Sequence, residues 1–234
     1  MVPSAKTYRN QLLALLSPQD LALLAPHLEH KEFAVRYIIE EPGRAIRHVY
    51  FVERGFASMV ANGISGREVE VGLIGREGMT GTAVVLGSDR SPHATYIQLA
   101  GGGYRLTAAA LRTTMAASNS LRGLLLNYAH ILMVQTAQTA LANGRAKLEE
   151  RLARWILMGR DRINGDALHL THEFLSIMLG VRRAGVTEAL HILEGRGLIG
   201  ADRGNVHVVD RKGLEKVAGG TYGVPEAEYR RLIG

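Results

Sequence analysis

The chain has 234 residues, 47% of them hydrophobic and 21% charged, a balance that supports a packed core and excludes a disordered tail or a collagen-like fibre. It contains no cysteine, which excludes disulfides, cysteine-bound zinc, iron-sulfur clusters and a thiolate nucleophile. The formal charge of +6 favours an anionic partner, but it divides into +2 on residues 1–117 and +4 on 118–234, too thin a spread to name one.

The N-terminus reads as neither a signal peptide nor a transit sequence, so the expected address is cytoplasmic. Residues 8–27 read as helix, with Leu12, Leu13, Leu15 and Leu16, then Leu21, Leu23 and Leu24, at helical spacing and Ser17-Pro18 starting a second piece. From about residue 31 the period shortens. Val35, Tyr37 and Ile39 alternate with polar or small residues, and the runs 48–52, 57–61, 68–73 and 95–99 follow as short strands. Pro42-Gly43, Arg54-Gly55, Asn62-Gly63, Gly66, Gly75, Gly78, Gly81 and Gly101 to Gly103 punctuate them, which points to a small antiparallel sheet, rolled or sandwiched.

Helical spacing returns over 108–115 and again from Ser118 to Ala142. Residues 123–144 carry no charge over a length that would span a bilayer, but Asn127, His130, Gln135, Thr136, Gln138, Thr139 and Asn143 argue against a membrane helix. Leu121, Leu124, Tyr128, Ile131, Gln135, Gln138 and Ala142 fall at the spacing of a two-stranded coiled-coil seam. The alternative is a helix buried inside one domain. An uncharged surface all round calls for cover on several sides, and a second protomer is the expected cover. Asn143-Gly144 reads as a hinge, and an amphipathic helix follows through Leu148, Leu152, Trp155, Ile156 and Met158, ended by Asn164-Gly165.

Thr171 to Gly197 carries the functional pattern. Thr171 caps a helix bearing Phe174, Leu175 and Met178; Ser176 is small where a second helix would cross; Gly180 breaks the helix; Val186, Leu190, Ile192 and Leu193 form the apolar side of the next. A small residue, a glycine four later and an aliphatic six after that supply the close approach, the left-handed turn and the buried anchor of a helix-turn-helix. Residues 198–209 then read as two strands about Arg203-Gly204-Asn205, hence a winged helix. An ordinary helical hairpin is the alternative, against which Arg182, Arg183 and Arg203 stand as cations suited to phosphates.

On the second helix Arg183 suits a guanine edge, Glu188 a cytosine amine, and Thr187 a base or a thymine methyl; each is equally readable as a solvated residue or a phosphate contact. The candidate DNA-binding set is Thr171, His172, Arg182, Arg183, Thr187, Glu188, His191 and Arg203.

A small N-terminal β domain, a long uncharged helix and a terminal winged helix containing Gly180-Val181-Arg182-Arg183-Ala184-Gly185-Val186-Thr187-Glu188 resemble the Crp/Fnr family of bacterial transcription regulators. Residues 149–155 and 71–79 are similar to that family as well. The resemblance implies an α+β chain: a cyclic-nucleotide-binding-like antiparallel β-roll over 1–117, a dimerisation helix over 118–143, and a winged helix-turn-helix over 144–234. It implies a homodimer on a near-palindromic double-stranded site, with RNA polymerase as a further partner.

It also implies an effector pocket. Cyclic-AMP-binding members pair Gly-Glu with Arg-Ser or Arg-Ala there, and the corresponding pairs are Gly81-Thr82 and Arg90-Ser91. Threonine lacks the charged acceptor that makes a hydroxyl contact strong, so an effector other than cyclic AMP is expected, and Arg90 is alternatively an exposed loop cation. Gln135 and Thr136 sit where the long helix would face the roll; they read either as effector contacts or as polar register residues of a coiled coil. The recognition helix departs too, with Arg183-Ala184 where typical members have Arg-Glu, which implies a different half-site.

Enzymes are disfavoured: Gly63-Ile64-Ser65-Gly66 lacks nucleophile-elbow spacing, His172-Glu173 has no second histidine four residues on, and no phosphate loop of Walker type occurs. No metal or cofactor is assigned, only an unidentified small-molecule or nucleotide effector. The competing readings are an effector-independent regulator and a protein-interaction module on the same folds.

Overall fold

The fold begins with a buried asparagine. Asn10 accepts the Leu13 amide (3.1 Å) at the start of α1 (Gln11–Ala14) and donates to the carbonyls of Val52 (2.8 Å) and Gly78 (2.7 Å), so one side chain ties a helix to two later segments. Ser17 caps α2 (Pro18–Leu24), and a 3-10 turn, Ala25–His27, follows. The computed structural model describes residues 7–62, 68–163, 165, 167–202 and 204–234. It divides into a first unit of 1–59, 74–131 and 232–234 and a second of 60–73 and 132–231.

In the first unit the strands are β1 (Glu29–Phe33), β2 (Ile38–Glu40), most of β3 (His48–Asn62) and β5 (Ala94–Thr107), ordered β1-β5-β3 with β2 also on β5; β4 (Glu68–Ile74), which pairs with β3, belongs to the second unit but for its last residue. The short helix α3 (Thr82–Val85) links β4 to β5, and α4 (Ala108–Ala117) follows β5. Two expected turns lie inside strands instead. Arg54-Gly55 is within β3 and Gly101 to Gly103 within β5. A Cβ at Gly101 or Gly103 would run into the backbone carbonyls of Arg54 or Phe51, so these glycines let β5 run close beside its neighbour β3 rather than reverse the chain. The cross-strand pair Glu29 and Arg105 makes two contacts, 2.9 and 3.0 Å, and helps register β1 on β5.

Asp20 joins α2 to the start of the long helix α5 (Asn119–Arg145): Ser17, Ser118 and Ser120 all donate to its carboxylate. Burial pushes that carboxyl up, but the three hydroxyl donors outweigh it and hold the group below the usual carboxylate range. A depressed folded value gives stability that is present above the unfolded value and lost as pH falls. Acid unfolding is therefore expected to steepen below about pH 4 in the wild type and to be shallower in Asp20→Asn, read by circular dichroism against pH.

Most of the stripe expected to be a coiled-coil seam is covered within the single chain: Leu121, Tyr128, Ile131, Gln135 and Ala142 are buried, and Leu124 and Gln138 half-buried. In the first unit the Tyr128 ring occupies the space beside Gly78. The helix also runs unbroken through Asn143-Gly144. The chain breaks at Ala146-Lys147, where the Lys147 amide donates to Glu150 and opens α6 (Leu148–Arg162). A glycine tolerated inside a long helix costs less than the uncapped ends a break would create.

In the second unit, α6 packs against β6 (Ala167–His169), α7 (His172–Leu179), α8 (Arg183–Gly195) and α9 (Arg211–Val217), with β7 (Ile199–Asp202), β8 (Asn205–Val208) and α10 (Val224–Leu232) completing it. The small sheet runs β6-β8-β7, antiparallel throughout. Trp155 is the sole tryptophan of the sequence; its ring meets Phe174 edge-on at 5.2 Å and its Nε1 donates to the buried Glu70 of β4 at 2.7 Å. Asp161 accepts from Arg211 (2.7 Å) and Tyr222, tying α9 back to α6.

Candidate nucleic-acid interface

Helix α7 starts where the Thr171 hydroxyl accepts the Phe174 amide (3.1 Å) and stops at Gly180, whose φ of 62° is the left-handed value a β-carbon would resist. Arg151 of α6 donates to the Leu179 carbonyl, an otherwise orphaned group at the end of α7. Three residues after Gly180, α8 begins at Arg183. Val186, Leu190 and Leu193 are buried beneath it, which turns the opposite face outward.

Of the sequence-derived set, Thr171, His172, Arg182, Arg183, Glu188 and His191 are exposed and Thr187 is half-buried, and His172 of α7 meets Thr187 of α8 at 3.0 Å. Arg203 lies outside the described residues, as do Asn164 and Gly63-Ile64-Ser65-Gly66. Gly204 (φ 82°) sits at the end of the wing, and β7 and β8 pair from Asp202↔Asn205 to Ile199↔Val208. Ala184 is exposed beside Arg183, and Glu188 stands on the outer face of the next turn. Sequence reasoning passed over Glu173: its carboxylate meets the Arg183 guanidinium at 3.1 Å across the turn. Such a contact joins residues ten apart on different helices, and no periodic pattern signals it.

The residues expected at the effector site fall in two places. The Gly81 amide, at the start of α3, is held by the carboxylate of Glu40 at 2.7 Å, and Glu40 is itself buried. Burial raises the Glu40 carboxyl above its ordinary range, offset in part by the Gly81 amide and the Thr95 hydroxyl. Arg90 is exposed and paired with its neighbour Asp89 at 2.9 and 3.1 Å; Ser91 is buried and accepts the His93 amide. In the second unit Gln135 clamps the Leu73 backbone both ways, accepting its amide (2.6 Å) and donating to its carbonyl (3.2 Å). Thr136 turns its hydroxyl back to the Leu132 carbonyl. Among the described residues no group of three or more His, Asp or Glu could hold a metal ion, and no helix is long and apolar enough to cross a membrane.

Residues 150–217 match the family model of the Crp-like helix-turn-helix domain. The solved structures that share the fold include a transcriptional regulator of the crp/fnr family from Eubacterium rectale, 19% identical with a TM-score of 0.65 over 89% of this chain and 97% of that one. The chain thus has the Crp/Fnr fold and a Crp-like helix-turn-helix domain. A CRP-family regulator from Thermus thermophilus is 21% identical to this chain with a TM-score of 0.66, and FixK2 from Bradyrhizobium japonicum 16% identical with a TM-score of 0.70. Each covers 81% of this chain and is itself covered to 96%. No curated protein matches the sequence.

Proposed function

We propose that the protein is a sequence-specific DNA-binding transcription regulator acting as a homodimer. The observation that carries this reading is the outward face of α8, where Arg183, Thr187, Glu188 and His191 stand clear of the core on a Crp-like helix-turn-helix. Exposed donors and acceptors in that arrangement suit base edges in a major groove, and Arg182 with Arg183 suits the flanking phosphates. RNA polymerase is the further partner this reading implies.

Dimerisation is supported by the other side of α5. With one stripe turned inward, Leu126 (38% exposed), Met133 (62%) and Leu141 (49%) remain outward, with Ala137 exposed between them. These residues recur at seven and eight, the spacing of a coiled-coil seam in a stretch free of charge, and a second copy of the same helix fits it. A two-fold dimer would present two α8 helices to successive turns of a near-palindromic site.

The effector of the β-roll is proposed to be something other than cyclic AMP. Thr82 offers no carboxylate to a ribose, and an anion at the Gly81 amide would have to displace Glu40. Mutating Arg183 to alanine is expected to cost about 1–3 kcal/mol at one base pair of the preferred site while leaving other positions ranked as before. Competition binding against single-base variants of the site reads this directly. A uniform loss across all variants would demote Arg183 to a phosphate contact.

A further inference from the structure

We propose that Glu173 is a specificity-determining residue that positions Arg183 for base reading; the inference rests on the DNA-binding role given above. Glu173 lies in the first turn of α7, and its Oε2 meets Arg183 Nη2 at 3.1 Å across the helix-turn-helix. Both side chains are exposed, so the pair does little for folding stability. Its effect is on orientation. An arginine at the start of a recognition helix has a long, rotamer-rich stem, and reading a guanine demands its planar fork edge-on to N7 and O6.

Glu173 approaches only Nη2, as an ion pair at 3.1 Å, and the guanidinium carries five N–H hydrogens, so a bidentate edge remains open while the carboxylate biases the guanidinium's position. The neighbouring residue acts in parallel. His172 Nδ1 lies 3.0 Å from Thr187 Oγ1, and the Thr187 hydroxyl donates to the Arg183 carbonyl at 3.1 Å, so the imidazole is the donor in the first contact. Two consecutive residues of α7 therefore hold two readers one turn apart on α8. A carboxylate on a surface that approaches phosphates weakens binding to every sequence alike, so what Glu173 contributes is discrimination rather than affinity.

The test is a double-mutant cycle on the full-length protein, with Glu173→Ala, Arg183→Ala and the pair, read as relative affinity for the selected site and for its variant at the base pair Arg183 reads. Glu173→Ala is expected to lower that discrimination roughly tenfold, within the range of a single bidentate contact, and to bind random DNA as tightly as wild type or more so. In the Arg183→Ala background it should change discrimination no further. A role confined to stabilising α7 would lower affinity for all sequences equally and show no coupling to Arg183. Unchanged discrimination, or the same loss in both backgrounds, would overturn the proposal while leaving DNA recognition intact. A wild-type protein with no sequence preference would take down the DNA-binding role and this proposal together.

Discussion

Replacing Arg154 by leucine is expected to destabilise the second unit by about 3–5 kcal/mol, a large share of the 5–15 kcal/mol that holds a typical domain folded. Arg154 is buried, and its guanidinium donates to the Thr221 carbonyl (2.9 Å), the Thr139 hydroxyl (3.1 Å) and the Gln135 carbonyl (3.4 Å). One side chain thus joins α6 to the lower half of α5 and to the segment before α10. Burial lowers its affinity for a proton, and Glu226 and Glu70 counter that by favouring the charged form. Leucine fills part of the space but leaves the Thr221 carbonyl unpaired and removes the cation that Glu226 and Glu70 favour, which is the costly half of breaking a buried charge arrangement. Urea unfolding followed by far-ultraviolet circular dichroism measures the loss, and a change below about 1 kcal/mol would mean that the network does not bear on stability.

The second large effect is on assembly. Met133→Asp is expected to convert the dimer to a monomer at micromolar concentration, because a two-fold seam receives the new charge twice and must desolvate both copies. Met133 faces away from the covered stripe of α5, so folding of the single chain should survive. Sedimentation velocity reads the mass, and circular dichroism confirms that the helices persist. A variant that stays dimeric would place the interface elsewhere than Leu126, Met133, Ala137 and Leu141.

How far the sequence could be read depends on the range of each interaction. The helix-turn-helix was legible because Ser176, Gly180 and Val186 act through local backbone geometry and a single buried anchor, and the structure puts a left-handed Gly180 and a fully buried Val186 at those places. The wing was legible for a similar reason: two short strands about a tight turn need nothing distant. The long strands were harder. Gly55 and Gly101 to Gly103 look like turns in sequence, and only the close approach of the paired strands β5 and β3 shows why the chain continues as strand.

The long helix hid its orientation for a different reason. Both of its faces are uncharged, so heptad spacing fits the inward set of Leu121, Tyr128 and Gln135 as well as the outward set of Leu126, Met133 and Leu141. The deciding contact, Gln135 on the Leu73 backbone, joins residues far apart in the chain. The exposed recognition residues of α7 and α8 follow from local helical spacing, whereas the Glu173 to Arg183 pair depends on how the two helices cross.

The central claim is that α8 reads DNA sequence from a two-fold dimer. Selection from random double-stranded DNA by the purified full-length protein, with the enriched pool sequenced, tests it most directly. A two-fold-symmetric motif is expected, with half-sites about one helical turn apart, and Arg183→Ala should lose the preference at one position of each half-site. Enrichment of no motif, with and without small-molecule and nucleotide effectors added, would contradict it.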